Sequence, residues 1–190
     1  MGFVLKLNYE NIKVGDLVCT TSLSWIAEGI RIREAGWKNS FNTKIATHVG
    51  IVVPIGPSSI SMFGIAEMLS NGLKINALSD YINKGYWGPR IVCIKRFAPF
   101  QDETIQKEIV KQIFTWWQDG KKYDFKGVLN YVLPFLKDKD GKFYCSELLE
   151  WLALNIANQE LVDTKHDKDN VMPSQIQKSK LSTFVNEWNK

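Results

Sequence analysis

Hydrophobic and polar positions change period several times along the chain, and each change predicts an element. "VGDLVCTTS" is a short β-rich run behind a Gly-Asp turn. "LSWIAEGIRIREAG" follows with helical spacing, Ser24 as its cap and Gly36 past its end. "TKIATHVGIVVPI" alternates as a strand does, "GPSS" breaks it, and "ISMFGIAEML" resumes, so the two segments predict a hairpin. "PRIVCIKRF", rich in β-branched residues with a Pro at its edge, predicts a third strand. In "DETIQKEIVKQIFTWWQDG" the period lengthens: Ile105, Ile109, Ile113 and Trp116 recur at helical spacing between charges, and Gly120 supplies a stop. "FKGVLNYVLPFL" predicts a further helix, cut by Pro134. The turn at "KDKDGK" then leads into a helix beginning near Cys145, with Leu148, Leu149, Leu152 and Ile156 on one apolar stripe. Beyond Leu161 the chain is polar and weakly patterned, with Pro173 and Ser174 marking one more short helical start.

The length favours a single domain over residues 1–190, without repeats or linkers, and its strands and helices make the expected class α+β. A chain of 190 residues that is 45% hydrophobic can bury a full core without metal or disulfide staples. Seven Trp, six Tyr and ten Phe add the expectation of an aromatic core or an apolar cleft. The net charge is +4, and the Lys and Arg residues are interleaved with acids, so no basic footprint for nucleic acid exists. Cys19, Cys93 and Cys145 lie far apart, in no metal-ligand spacing and in odd number, which fits free thiols in a reducing compartment. The start "MGFVLKLNYENIKVGD" lacks the parts of a signal peptide, and Lys6 stands where a myristoylation motif places Ser or Thr. No apolar run reaches membrane-spanning length. The expectation is a protein without a transmembrane segment, cytoplasmic as made, with a viral or phage product or delivery by another system as further options.

Cys145 heads the apolar stripe of its helix and admits two readings. Free Cys is among the most buried residue types, which makes it a small filler. A helix start also carries partial positive charge that stabilises a thiolate and an oxyanion, which makes it a nucleophile, although Glu147 works against this if it points at the sulfur. A cysteine nucleophile needs a base, and the chain has two histidines. His166, in "DTKHDKDN", reads as a solvated surface residue. His48, in "ATHVGIVV", lies on a buried strand and is either a satisfied core residue or part of a site. If the hairpin pairs symmetrically about a loop centred between Pro57 and Ser58, His48 falls opposite Glu67, on the same face. Glu67 is then either a partner that orients the imidazole or an ordinary solvent-facing side chain.

The ordered set "GDLV", "THVGIV", "AE", "YDF" and "FYCSELL" resembles the circularly permuted branch of the NlpC/P-sixty superfamily, the YiiX-like papain-fold amidases, in which the histidine strand precedes the cysteine helix. The resemblance runs from about Gly15 to about Ser174. It implies a circularly permuted papain-like fold, with a small antiparallel sheet or barrel packed against helices and the nucleophile at a helix N-terminus. It also implies Cys145 as nucleophile, His48 as general base and Glu67 as the residue that orients it. Tyr144, Asp16, Tyr123 and Asp124 are implied as cleft or scaffold residues, and "PSQI" resembles the short motif after the cysteine helix. The segment "SWIAEGIRIREAGWKNSFN" departs from the family pattern.

The resemblance implies acyl transfer through a cysteine acyl-enzyme, with no cofactor and no metal. A hydrolase acting on a bacterial cell-wall peptide or an N-acyl amide is one reading, its substrate a small-molecule, peptide or lipid-linked amide. A lipid acyltransferase or thioesterase on the same fold is a second. A non-catalytic module that binds in the inherited cleft is a third.

Overall fold

The computed structural model describes residues 11–22, 25–39, 42–55, 62–83, 90–122, 145–163 and 171–187. Six strands among them form one antiparallel sheet: β1 (Leu17–Thr21), β2 (His48–Ile55), β3 (Met62–Leu69), β4 (Gly72–Ala77), β5 (Arg90–Phe97) and β6 (Ser182–Glu187), in spatial order β4-β3-β2-β1-β5-β6. The helices are α1 (Trp25–Ala35), α2 (Leu78–Asn83), α3 (Glu103–Gln118), α4 (Cys145–Asn155) and α5 (Pro173–Lys178). This α+β arrangement carries every strand and helix predicted within the described residues. The predicted helix "FKGVLNYVLPFL" and the cap residue Ser24 lie outside them.

Both faces of the sheet are covered, which is why β1 is buried at all five positions instead of alternating. Leu17, Cys19, Val49, Ile51, Val53, Ala66 and Met68 form one core with Ile109 and Ile113 of α3, Leu148, Leu149 and Leu152 of α4 and Ile176 of α5. Val18, Val52, Ile65 and Ile91 pack on the opposite side with Leu78 and Tyr81 of α2. Local signals explain the helix ends. Asp102 caps α3 by accepting from the amides of Thr104 and Ile105 at 2.9 and 3.1 Å. Gly36 ends α1 with φ +80° and donates to the Ile32 carbonyl at 2.8 Å.

The hairpin forms, but its register corrects the symmetric pairing. Ile51 lies opposite Ala66 and Ile55 opposite Met62, so Glu67 continues across from Gly50 and His48 is displaced two residues along the strand. A shift of two preserves the face, because side chains alternate with period two. Gly50 is what accommodates it: a Cβ there would stand 2.5 Å from Ile65 Cγ2, 2.8 Å from the Ala66 carbonyl oxygen and 3.2 Å from Glu67 Cβ. We expect Gly50→Ala to lower stability by about 1–3 kcal/mol and to push Glu67 away from His48. Chemical denaturation measures the first effect, and the titration of the histidine ring measures the second.

Candidate active site

β2 begins at His48, β3 carries Glu67 in its second half, and α4 begins at Cys145; packing of α4 on the sheet brings the three together. His48 Nε2 lies 2.8 Å from Glu67 Oε2. Cys145 stands near enough to the same ring to raise its basicity, and with Nε2 committed to Glu67, Nδ1 is the atom left for the sulfur. A diagonal pair on one face of a hairpin is within reach of long side chains, so the contact survives the corrected register. Glu67 is 1% exposed, which overturns its reading as a solvent-facing residue, whereas 22% of the His48 side chain faces solvent.

Two residues without a sequence signal complete the carboxylate's surroundings. Asn76 Nδ2, from β4, donates to Glu67 Oε1 at 2.7 Å, and the Tyr81 hydroxyl, from α2, donates to the same oxygen. Oε1 therefore serves the scaffold and Oε2 serves the histidine. Burial works against charge on Glu67, but the hydrogen bond and charge of His48, then the hydrogen bonds of Tyr81 and Asn76, hold its carboxyl below the usual range. Burial and the Glu67 charge push the Tyr81 phenol well above its ordinary value, so it remains a donor. Burial acts to lower the basicity of His48 as well. The charge and hydrogen bond of Cys145, followed by those of Glu67, outweigh it and push the ring up to about 10.

At the start of α4 the first backbone amides have no intrahelical acceptors. Ser146 Oγ donates to the Val171 carbonyl at 2.5 Å and so fixes this end of the helix. The other two thiols form a separate pair: Cys19 and Cys93 lie directly opposite on β1 and β5. Their hydrogen bond and burial push Cys19 well above the ordinary thiol value.

Asp16, for which both cleft and scaffold roles stood open, is fully buried in a scaffold contact. Its carboxylate accepts from Arg96 Nε and an Arg96 terminal nitrogen at 2.8 Å each and from the Lys13 amide at 2.8 Å. Tyr144, Tyr123, Asp124 and His166 lie outside the described residues. The divergent segment holds α1, which the fully buried Arg31 fastens to the end of β1 by donating to Thr21 Oγ1 at 2.9 Å and the Ser22 carbonyl at 2.8 Å. That places α1 beside the strand end where Thr20 pairs with His48.

No protein-family model matches the chain, and no curated protein matches it. Among solved structures it is similar to the metalloprotein YiiX of Escherichia coli O157:H7, at 16% identity and a TM-score of 0.65 over 94% of this chain and 99% of that one. The chain therefore has the permuted papain-like fold of YiiX. The metal in that protein's description has no counterpart among the described residues here, where no group of three or more His, Cys, Asp or Glu side chains is arranged to hold one. No helix among the described residues is long and apolar enough to cross a membrane.

Proposed function

We propose that the chain is a cysteine hydrolase that cleaves amide bonds through an acyl-enzyme on Cys145. The observation that carries this reading is the position of His48, with Nε2 on a buried carboxylate held below the usual range and a helix-start thiol close enough to raise the ring's basicity. His48 holds at Nδ1 the proton that the thiol gives up, and the sulfur attacks the substrate carbonyl. Amides at the start of α4 receive the oxyanion. The amine leaves with the proton from His48, after which His48 activates a water that releases the acid and regenerates the thiol. Glu67 keeps Nε2–H directed at itself, so the catalytic proton is handled only at Nδ1. Resemblance to the permuted amidases and the shared YiiX fold support an amide substrate, a cell-wall peptide or an N-acyl amide.

Exposure barely separates the three thiols, at 4% for Cys145, 0% for Cys19 and 2% for Cys93, so a difference in their reactivity reports chemistry. Iodoacetamide at pH 6–7, read by peptide mass spectrometry, is expected to label Cys145 at least about tenfold faster than the other two, since a histidine-paired thiolate is the reactive form. Equal rates in the folded protein overturn the reading.

A further inference from the structure

The proposed nucleophile and base come from different halves of the sequence, and α4 packs directly on β2 to bring them together. A second tie between them is α5, a six-residue helix. Near its N-terminal end, the Val171 carbonyl accepts from Ser146, the residue after the nucleophile. Toward its other end, Gln177 uses both halves of its side-chain amide on the backbone leading into His48. Its Oε1 accepts from the Ala46 amide at 2.8 Å, and its Nε2 donates to the Lys44 carbonyl at 2.8 Å. An amide that donates and accepts in this way imitates a neighbouring strand. The segment 44–47 is thus held on both sides, because Thr47 donates to the Thr20 carbonyl of β1 at 2.9 Å.

The helix that presents Gln177 is itself fixed. Lys95, buried beneath it, donates to the carbonyls of Ile176, Gln177 and Ser179 at 3.4, 2.9 and 2.5 Å. Ser179 Oγ ties the following residue to the Leu161 carbonyl at 3.0 Å. Gln177 lies 131 residues from Ala46 in sequence, and its side chain is only half-buried, so core packing does not account for a two-bond contact with backbone.

We infer that Gln177 is a positioning residue: by clamping Lys44 and Ala46 it holds the start of β2 against α5 and so sets the reach of His48 to Cys145. The inference rests on the proposed hydrolase reading, but it can be tested apart from it. Gln177→Met keeps length and shape while removing both hydrogen bonds, and Gln177→Glu keeps the acceptor for the Ala46 amide while losing the donor. In the full-length protein, Gln177→Met is expected to slow labelling of Cys145 by iodoacetamide roughly tenfold to a hundredfold, the scale of a small misplacement of reacting groups. It is also expected to move the His48 titration, followed by NMR, down from about 10 toward its ordinary value, while Cys19 and Cys93 stay protected. Gln177→Glu should recover part of both effects. Unchanged labelling together with an unchanged His48 titration overturns the inference. So does a variant in which all three cysteines become equally reactive, since Gln177 would then support the fold at large. If wild-type Cys145 has no advantage over the other thiols, yet Gln177→Met still moves His48, the hydrolase reading fails and the positioning role stands.

Discussion

Cys145→Ala is expected to lower turnover of an amide substrate by at least about four orders of magnitude, the scale on which removal of a catalytic nucleophile acts. The folded state should hardly notice. The side chain is 4% exposed and loses one sulfur atom, a change comparable to deleting a buried methyl group, which costs about 1 kcal/mol. For a chain of this length that is a shift of about 2–4 °C in melting temperature. The variant should also change the histidine. Cys145 contributes most to holding His48 up at about 10, so in its absence the ring should titrate closer to its ordinary value, as read by NMR. The sign for stability follows. In the wild type the folded chain keeps a proton on His48 that the unfolded chain gives up above pH 6.5, so this contribution is complete below that pH and is lost as pH rises through 10. In the variant the same loss should begin and end at lower pH. Unfolding on substitution would instead make Cys145 a filler of the apolar stripe, and retained turnover would place the nucleophile elsewhere.

How far this site could be read from the chain depended on whether its interactions are periodic. The stripe Ile105, Ile109, Ile113, Trp116 and the stripe from Cys145 through Leu152 predict α3 and α4 because a helix that packs on a sheet must repeat apolar residues on one face. The strands of the hairpin were legible for the same reason, and with them the shared face of His48 and Glu67. Register was not, since a two-residue slip leaves the face pattern unchanged, and what decides it is the missing side chain of Gly50 against Ile65 and Ala66. The elements that escaped notice are short or lie at the sheet edges. β4 is half-buried over most of its length, β6 is an edge strand within a polar tail, and α2 has only six residues, too few for a period to register.

Those unread elements carry Asn76 and Tyr81, which explains why the support for Glu67 was invisible while Glu67 itself was not. Gln177 shows the limit more sharply. "PSQI" pointed to a helical start, but a clamp on backbone 131 residues away leaves no trace in local sequence, because any residue type can supply the Lys44 carbonyl, and any except proline the Ala46 amide. Asp16 illustrates the converse. A motif residue identified from the sequence lies fully buried in a pair with Arg96, at the strand start that it helps to fix.

Glu67→Gln is expected to cost turnover about a thousandfold to ten-thousandfold with little change in KM, the scale seen when a catalytic histidine is held in the wrong tautomer. Three donors converge on this side chain: Nε2–H of His48, the Asn76 amide and the Tyr81 hydroxyl. Only a group that accepts at both ends satisfies all three, and a carboxylate does. If the glutamine oxygen takes the place of Oε1, its nitrogen points at Nε2. The ring must then give up the proton there and carry one at Nδ1, where the thiol proton has to be received. If the amide turns over, its nitrogen confronts the Asn76 donor, and a buried donor is left without an acceptor, at a cost of about 1–3 kcal/mol. Loss of the carboxylate charge also removes part of what raises His48, so its titration should move down, though less than in Cys145→Ala, because Cys145 stands ahead of Glu67 among the groups that raise it. Measuring kcat, KM and the histidine titration on the same variant separates tautomer control from instability. Near-normal kcat in a folded Glu67→Gln protein would show that His48 is oriented without its carboxylate, and the triad would reduce to a Cys-His pair.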